Sequence, residues 1–217
     1  MIELKNVTKK FSKDKVVLKD ISMQIRKGEY VEIIGKSGSG KSTFLNLLGL
    51  LDMDFEGDFF VDGIDVSKLS DMKISRIRNK KIGFIFQSYN LIPGMTSYEN
   101  IMLPLIYSAE KPDQKFKNHM DKLVKDLQIT ELLNKRIEYL SGGEKQRIAI
   151  ARAMCLSPEI ILADEPTGNL DSVNSSIVFD TLLNLNKRGT TIVLVTHNCY
   201  VDVGADHKLT LEGGKFL

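Results

Sequence analysis

Cysteine is nearly absent from this 217-residue chain, which carries only Cys155 and Cys199. They lie far apart and in no CxxC pattern, so neither a disulfide framework nor a cysteine metal site is expected, and a reducing compartment suits the chain. An excess of charge of one sign is missing as well: 30 Lys and Arg face 28 Asp and Glu, a net +2. A nucleic-acid partner calls for a clustered basic face, and none is expected here. The lysines between Lys5 and Lys19 and the run from Arg76 to Lys81 read as solvated faces. Long hydrophobic runs are lacking too. The greasiest stretch, Phe44 to Leu51, is broken by Asn46 and Gly49 and falls well short of the roughly 20 apolar residues a membrane span needs. The opening MIELKNVTKKF has no apolar core of a secretion signal. The chain is therefore expected to be soluble by itself, with any membrane role supplied by a partner. No repeat, low-complexity tract or long linker divides it, and its size suits one domain.

What is present is a set of short apolar strands, each ending in chemistry. Ile2, Leu4 and Val7 open one strand, Val16 to Ile25 forms another, and Asp58 to Val61 with the turn at Asp62-Gly63 a third. Tyr30 to Ile34, Ile82 to Phe86, Ile160 to Ala163 and Thr191 to Val195 are continuous apolar runs, the pattern of a parallel sheet buried on both faces. Between Tyr98 and Cys155 the period turns helical: Phe116, Met120, Leu123, Val124 and Leu127 share one face. The organisation expected is an α/β core built from residues 1–87 and 158–217, with an inserted helical subdomain over residues 88–157.

The strand at Tyr30 runs into Gly35-Lys36-Ser37-Gly38-Ser39-Gly40-Lys41-Ser42, followed by Thr43 and a helix. This satisfies GxxxxGK[ST] in the strand–loop–helix context the motif requires. Glycines let successive N–H groups point at phosphate oxygens, and the helix N-terminus adds positive potential. Lys41 is placed to reach the β- and γ-phosphates and Ser42 to ligate Mg²⁺. The strand at Ile160 ends in Asp164-Glu165, at the end of an open sheet where ligands bind. Asp164 suits a water-bridged metal position and Glu165 a general base. A phosphate-loop GTPase is disfavoured, because Asn186-Lys187-Arg188-Gly189 lacks the aspartate of the guanine-reading NKxD motif.

Leu140-Ser141-Gly142-Gly143-Glu144-Lys145-Gln146-Arg147 resembles the LSGGQ signature of ATP-binding cassette (ABC) ATPases. The other stations of that family occur in order: Gln87 is similar to its Q-loop glutamine, Gly168-Asn169-Leu170-Asp171 to its D-loop, and His197 to its switch histidine. Phe11 stands where the family puts an adenine-stacking aromatic, more often tyrosine. The resemblance implies a phosphate-loop core with a mixed, largely parallel sheet, an N-terminal antiparallel β subdomain and the helical insert. It implies MgATP hydrolysis in a head-to-tail dimer, in which Ser141, Gly142 and Gly143 of one copy complete the site of the nucleotide held by the phosphate loop of the other; Glu144 and Asp171 join the implied nucleotide-binding residues. Ser42, Gln87 and Asp164 are the implied metal residues; Glu165, His197, Lys41 and Gln87 the catalytic ones.

A finer resemblance, through Leu50-Leu51-Asp52, Gly83-Phe84-Ile85-Phe86-Gln87, Glu99-Asn100-Ile101 and Asp164-Glu165-Pro166-Thr167, points to the branch holding macrolide-exporter, lipoprotein-release, antimicrobial-peptide-resistance and cell-division ATPases. It implies an integral-membrane permease partner, met through Gln87 to Leu105 with Leu91, Ile92, Met95 and Ile101 as apolar contacts, and a place on the cytoplasmic face of the membrane. A cell-division or regulatory scaffold is the alternative. Asn198 comes after the histidine where aspartate is common, and no C-terminal regulatory domain is expected beyond Gly213-Gly214.

Overall fold

A computed structural model describes residues 1–12, 15–108, 111–197 and 203–217; Cys199 and Asn198 lie outside them. Two sheets share the work. The first is antiparallel, in the order β2-β1-β4-β5, built from β1 (Ile2–Ser12), β2 (Lys15–Ile25), β4 (Glu56–Val61) and β5 (Ile64–Asp65). The second has six strands in the order β10-β9-β3-β8-β7-β6: β3 (Tyr30–Ile34), β6 (Ile82–Phe86), β7 (Ile160–Asp164), β8 (Thr191–Thr196), β9 (His207–Glu212) and β10 (Lys215–Phe216). All its neighbours pair in parallel except β9 with β10.

The continuous apolar strands are buried on both faces, as their composition requires. Alternate residues divide between two cores. Ile160 and Leu162 of β7 and Val193 and Val195 of β8 join the first sheet and helix α1 (Lys41–Leu48), whose Phe44, Leu45, Leu47 and Leu48 are buried with them. Ile161, Ala163, Ile192 and Leu194 face the opposite way. They pack with buried side chains of α4 (Gln114–Asp126), α5 (Gly142–Met154) and α6 (Ser172–Lys187), and with Ile101 of α3 (Ser97–Ile106). α3 starts on a capping box: the Thr96 hydroxyl accepts from the Glu99 N–H, and the Glu99 carboxylate accepts from the Thr96 N–H. Asp113 caps α4. α2 (Asp71–Lys81) buries only Ile74 and covers the start of β6.

The register brings the chemistry to one edge. Ile34 pairs with Thr196, Asp164 with Val195 and Phe86 with Asp164. Four parallel strands thus end side by side, and the segments leaving them converge: the loop 35–40 after β3, Gln87 after β6, Glu165 after β7 and His197 after β8.

Candidate functional site

The loop after β3 turns into α1 at Gly40, whose φ of 106° is closed to most side chains, and an added Cβ there would meet the Val17 carbonyl at 3.0 Å. No side chain caps α1 and its first turn holds no acid, so the N–H groups at this end remain free to face an anion. Lys41 is 8% exposed, and its ammonium donates to the Gly35 carbonyl at 2.7 Å and the Lys36 carbonyl at 3.1 Å. It is held by neutral groups, over the loop, where a phosphate would complement its charge.

Opposite it stands the acidic pair. Asp164 is half-buried, and its Oδ1 has no hydrogen-bond partner among the described residues. Burial pushes its carboxyl above the usual range; the Ser42 hydroxyl pulls it back, the Glu165 charge pushes it up and Lys41 pulls it down. Glu165 adopts a left-handed backbone, φ 46°, which costs a non-glycine residue roughly 1–3 kcal/mol and is a common mark of functional sites. Its Oε2 lies 2.8 Å from His197 Nδ1, a hydrogen bond that needs the proton on Nδ1, and accepts from the Thr196 hydroxyl at 3.3 Å.

Phe11, near the end of β1, is 59% exposed, with the ammonium groups of Lys9 and Lys15 at 5.9 and 6.0 Å from its ring centre. Phe11, Ser37, Gly38, Gly40 to Thr43, Gln87, Asp164, Glu165 and His197 line one cleft of about 570 Å³, a size suited to a nucleotide-scale ligand. Gly35, Lys36 and Ser39 line the cavity on the other side of the loop.

The second glycine station is elsewhere. Ser141 caps α5 in a capping box, its hydroxyl accepting from the Glu144 N–H at 3.3 Å while the Glu144 carboxylate accepts from the Ser141 N–H at 2.7 Å. The bond from the Ser141 N–H and, after it, that from the Ser141 hydroxyl hold the Glu144 carboxyl below its ordinary value, and its carboxylate is committed to its own helix. Asp171 caps α6, accepting from the Asn174 N–H and side-chain amide. Ser141, Gly142, Gly143, Glu144 and Asp171 do not line the phosphate cleft. The D-loop and Q-loop segments do touch: the Asn169 amide donates to the Gln87 carbonyl at 3.0 Å, and a Cβ on Gly168 would lie 2.8 Å from the Gln87 amide nitrogen.

A larger cavity, about 710 Å³, lies away from this cleft, between α2, β6, α3 and the end of α5. Met72, Phe84, Phe86, Leu103, Pro104 and Tyr107 give it apolar walls, and Arg76, Arg78 and Arg152 line it without any carboxylate. The apolar contacts expected at Leu91, Ile92, Met95 and Ile101 are not its walls. Ile101 is fully buried and Leu91 packs against the same core, because the face of α3 that carries Ile101 is taken up by α5, whereas Ile92 is 45% exposed. The groove escapes sequence reading because its walls come from four separate elements. Its local signs are exposed wall residues, Met72 in α2 and Tyr107 at the end of α3.

A family profile described as ABC transporter matches residues 18–168. The lipoprotein-releasing system ATP-binding protein LolD of Aquifex aeolicus is 44% identical over 201 residues, covering 93% of this chain and 89% of LolD. The macrolide export ATP-binding/permease protein MacB of Campylobacter jejuni is 43% identical over 217 residues, all of this chain and 34% of MacB; the chain spans about a third of the length of such relatives. Among solved structures, a dimeric post-hydrolysis state of the ATP-binding cassette MJ0796 bound to ADP and Pi superposes with a TM-score of 0.89 at 39% identity, covering 100% of this chain and 96% of that one.

Proposed function

The chain belongs to the ABC transporter family, and from that premise we propose that it is the ATP-hydrolysing cassette of an export- or extraction-type membrane machine. One observation carries the reading: four parallel strands end at a single edge and line one cleft with Lys41, Gln87, Asp164, Glu165 and His197. N–H groups of the segment 36–43 and the Lys41 ammonium bind the phosphates and offset their charge. Phe11 stacks on the base. Glu165 accepts the proton of the attacking water, its carboxylate steered by Thr196 and His197. His197, 66% exposed at its side chain, is free to turn toward the γ-phosphate.

The residues present also fit a magnesium ion. Their donors are all oxygens, the hard set this ion takes, and the buried Asp164 Oδ1 lacks a partner among the described residues. Ser42 and Gln87 would hold the ion directly and Asp164 through water; bound there, it neutralises charge on the phosphates.

The solved relative is dimeric with ADP and Pi, which supports a nucleotide-enclosing dimer here. The names of LolD and MacB favour a lipoprotein or a macrolide as cargo and a permease as partner; the branch resemblance adds a peptide as a further cargo and the cytoplasmic face of the membrane as the place of work. No helix among the described residues is long and apolar enough to cross a membrane. The arginine-rimmed groove is the surface we assign to the permease.

Glu165→Gln keeps the shape of the side chain and removes its basicity. Hydrolysis is expected to fall by roughly two to four decades, with ATP affinity near wild type and an MgATP-dependent dimer that persists in size-exclusion light scattering. Wild-type turnover in this variant would remove Glu165 from the role.

A further inference from the structure

The loop leaving β6 is bent in an unusual way. Tyr89 and Asn90 are consecutive non-glycine residues with φ of 60° and 49°, a left-handed pair that side chains oppose. Local bonds tighten it: the Tyr89 N–H donates to Phe86 and the Asn90 N–H to Ser88. Both carbonyls of the bent pair then turn toward α5, where one side chain takes them. Arg152 Nη2 donates to the Tyr89 carbonyl at 2.7 Å and Nη1 to the Asn90 carbonyl at 2.5 Å, across 63 and 62 residues of sequence. Arg152 is half-buried, and burial lowers its pKa, so these carbonyls are part of what the charge receives in place of water.

The same loop touches the other end of the same helix. A Cβ on Gly142 would lie 3.1 Å from the Tyr89 hydroxyl. α5 has 13 residues, about 19 Å at 1.5 Å per residue. Tyr89 therefore lies along α5, its backbone gripped near the helix C-terminus and its ring tip at the glycines that open it. Two residues upstream is Gln87, in the phosphate cleft. Arg152 and Asn90 also line the arginine-rimmed groove. One fork thus ties together the cleft, the signature glycines and the groove.

We propose that Arg152 is a positioning residue that locks the Gln87 loop to the signature helix, so that the two shift as one body. The proposal rests on the ATPase reading only for its kinetic arm. Lysine keeps the charge of arginine but has no planar fork to span two carbonyls. In Arg152→Lys, nucleotide-free amide exchange is expected to rise about tenfold in both 87–92 and 142–146, as for a lost local restraint. With MgATP, kcat is expected to fall about tenfold while KM stays within about twofold, the mark of lost alignment with the phosphate loop intact. Asn90→Val attacks the clamp from the loop side, since a β-branched residue resists φ near 49°. It is expected to give the same pattern, and decides the matter if Arg152→Lys does not fold. Exchange that rises in 87–92 alone, a kcat within about twofold of wild type, or a loss carried by KM overturns the proposal. A wild-type chain that hydrolyses no ATP would sink the ATPase reading, and the exchange experiment would still judge the clamp.

Discussion

At the scale of single residues, Asp164 is where function and stability pull apart. Its carboxyl is raised in the folded chain, first by burial and then by Glu165, against the opposing pulls of Ser42 and Lys41. The native state therefore holds this proton more tightly than the unfolded chain does, which fixes the sign of the linkage. The contribution of Asp164 favours the fold below the unfolded carboxylate value of about 3.9. It is lost as pH rises through the raised folded value, so at neutral pH the ionised, half-dry carboxylate opposes folding. Asp164→Asn keeps an acceptor for Ser42 and removes the charge. The melting temperature of the nucleotide-free variant is expected to exceed wild type by about 2 °C at pH 7, and the gain to vanish toward pH 4. The Mg²⁺-dependent part of ATP affinity, measured against EDTA, should be lost. A variant that melts lower than wild type at pH 7 would contradict this account.

At the scale of elements, the contact between β6 and α5 sets where the Gln87 loop begins. Gly83 sits in β6, and a Cβ there would meet the Ala153 carbonyl at 2.4 Å and Ile161 Cδ1 at 2.6 Å. The first of these is backbone in the last turn of a buried helix and has little room to yield. Gly83→Ala is expected to cost about 2 kcal/mol, or roughly 6 °C in melting temperature; a thermal melt within a degree of wild type would mean that α5 does not rest on β6. This contact also marks the boundary of what sequence discloses. The core strands and the phosphate loop are legible because their signal is local: an apolar run that stops at Gly35, at Asp164 or at Thr196. α5 is legible because Ser141 and Glu144 stand at capping-box spacing. α2 is not, because a helix that buries only Ile74 has no apolar stripe. α6 carries a readable stripe in Val178, Leu182 and Leu185, but β9, with His207 and Lys208 exposed at an edge of the parallel run, has little alternation to read. Gly83 against Ala153, Arg152 against Tyr89, and the arginine-rimmed groove belong to tertiary packing between distant segments, which no local pattern encodes.

At the scale of the whole molecule, the two glycine stations of one chain do not share a cleft. Phosphate-loop residues line one cavity with Gln87, Glu165 and His197, while Ser141, Gly142 and Gly143 lie outside it at the head of α5. A helix N-terminus whose Ser141 hydroxyl is already engaged with Glu144 still presents N–H groups outward, and in the dimer proposed here the anion that reaches them is the nucleotide of a second copy. Such an arrangement makes each composite site half phosphate loop and half signature, one half from each chain. Ser141→Arg places bulk and charge at the signature while leaving the phosphate loop untouched. It is expected to abolish hydrolysis with monomeric ATP affinity unchanged. Lys41→Ala is expected to be inactive for the opposite reason. In a mixed dimer of the two variants, one composite site carries both lesions and the other neither, so activity should partly return on mixing, reaching up to about a quarter of the wild-type rate when half the dimers are mixed and each holds one good site of two. The measurement is ATP turnover against mixing ratio, which should peak at equal amounts and fall to nothing at either end. Activity that stays absent at every ratio, together with a Ser141→Arg chain that no longer binds ATP as a monomer, would mean that the signature serves the nucleotide of its own chain.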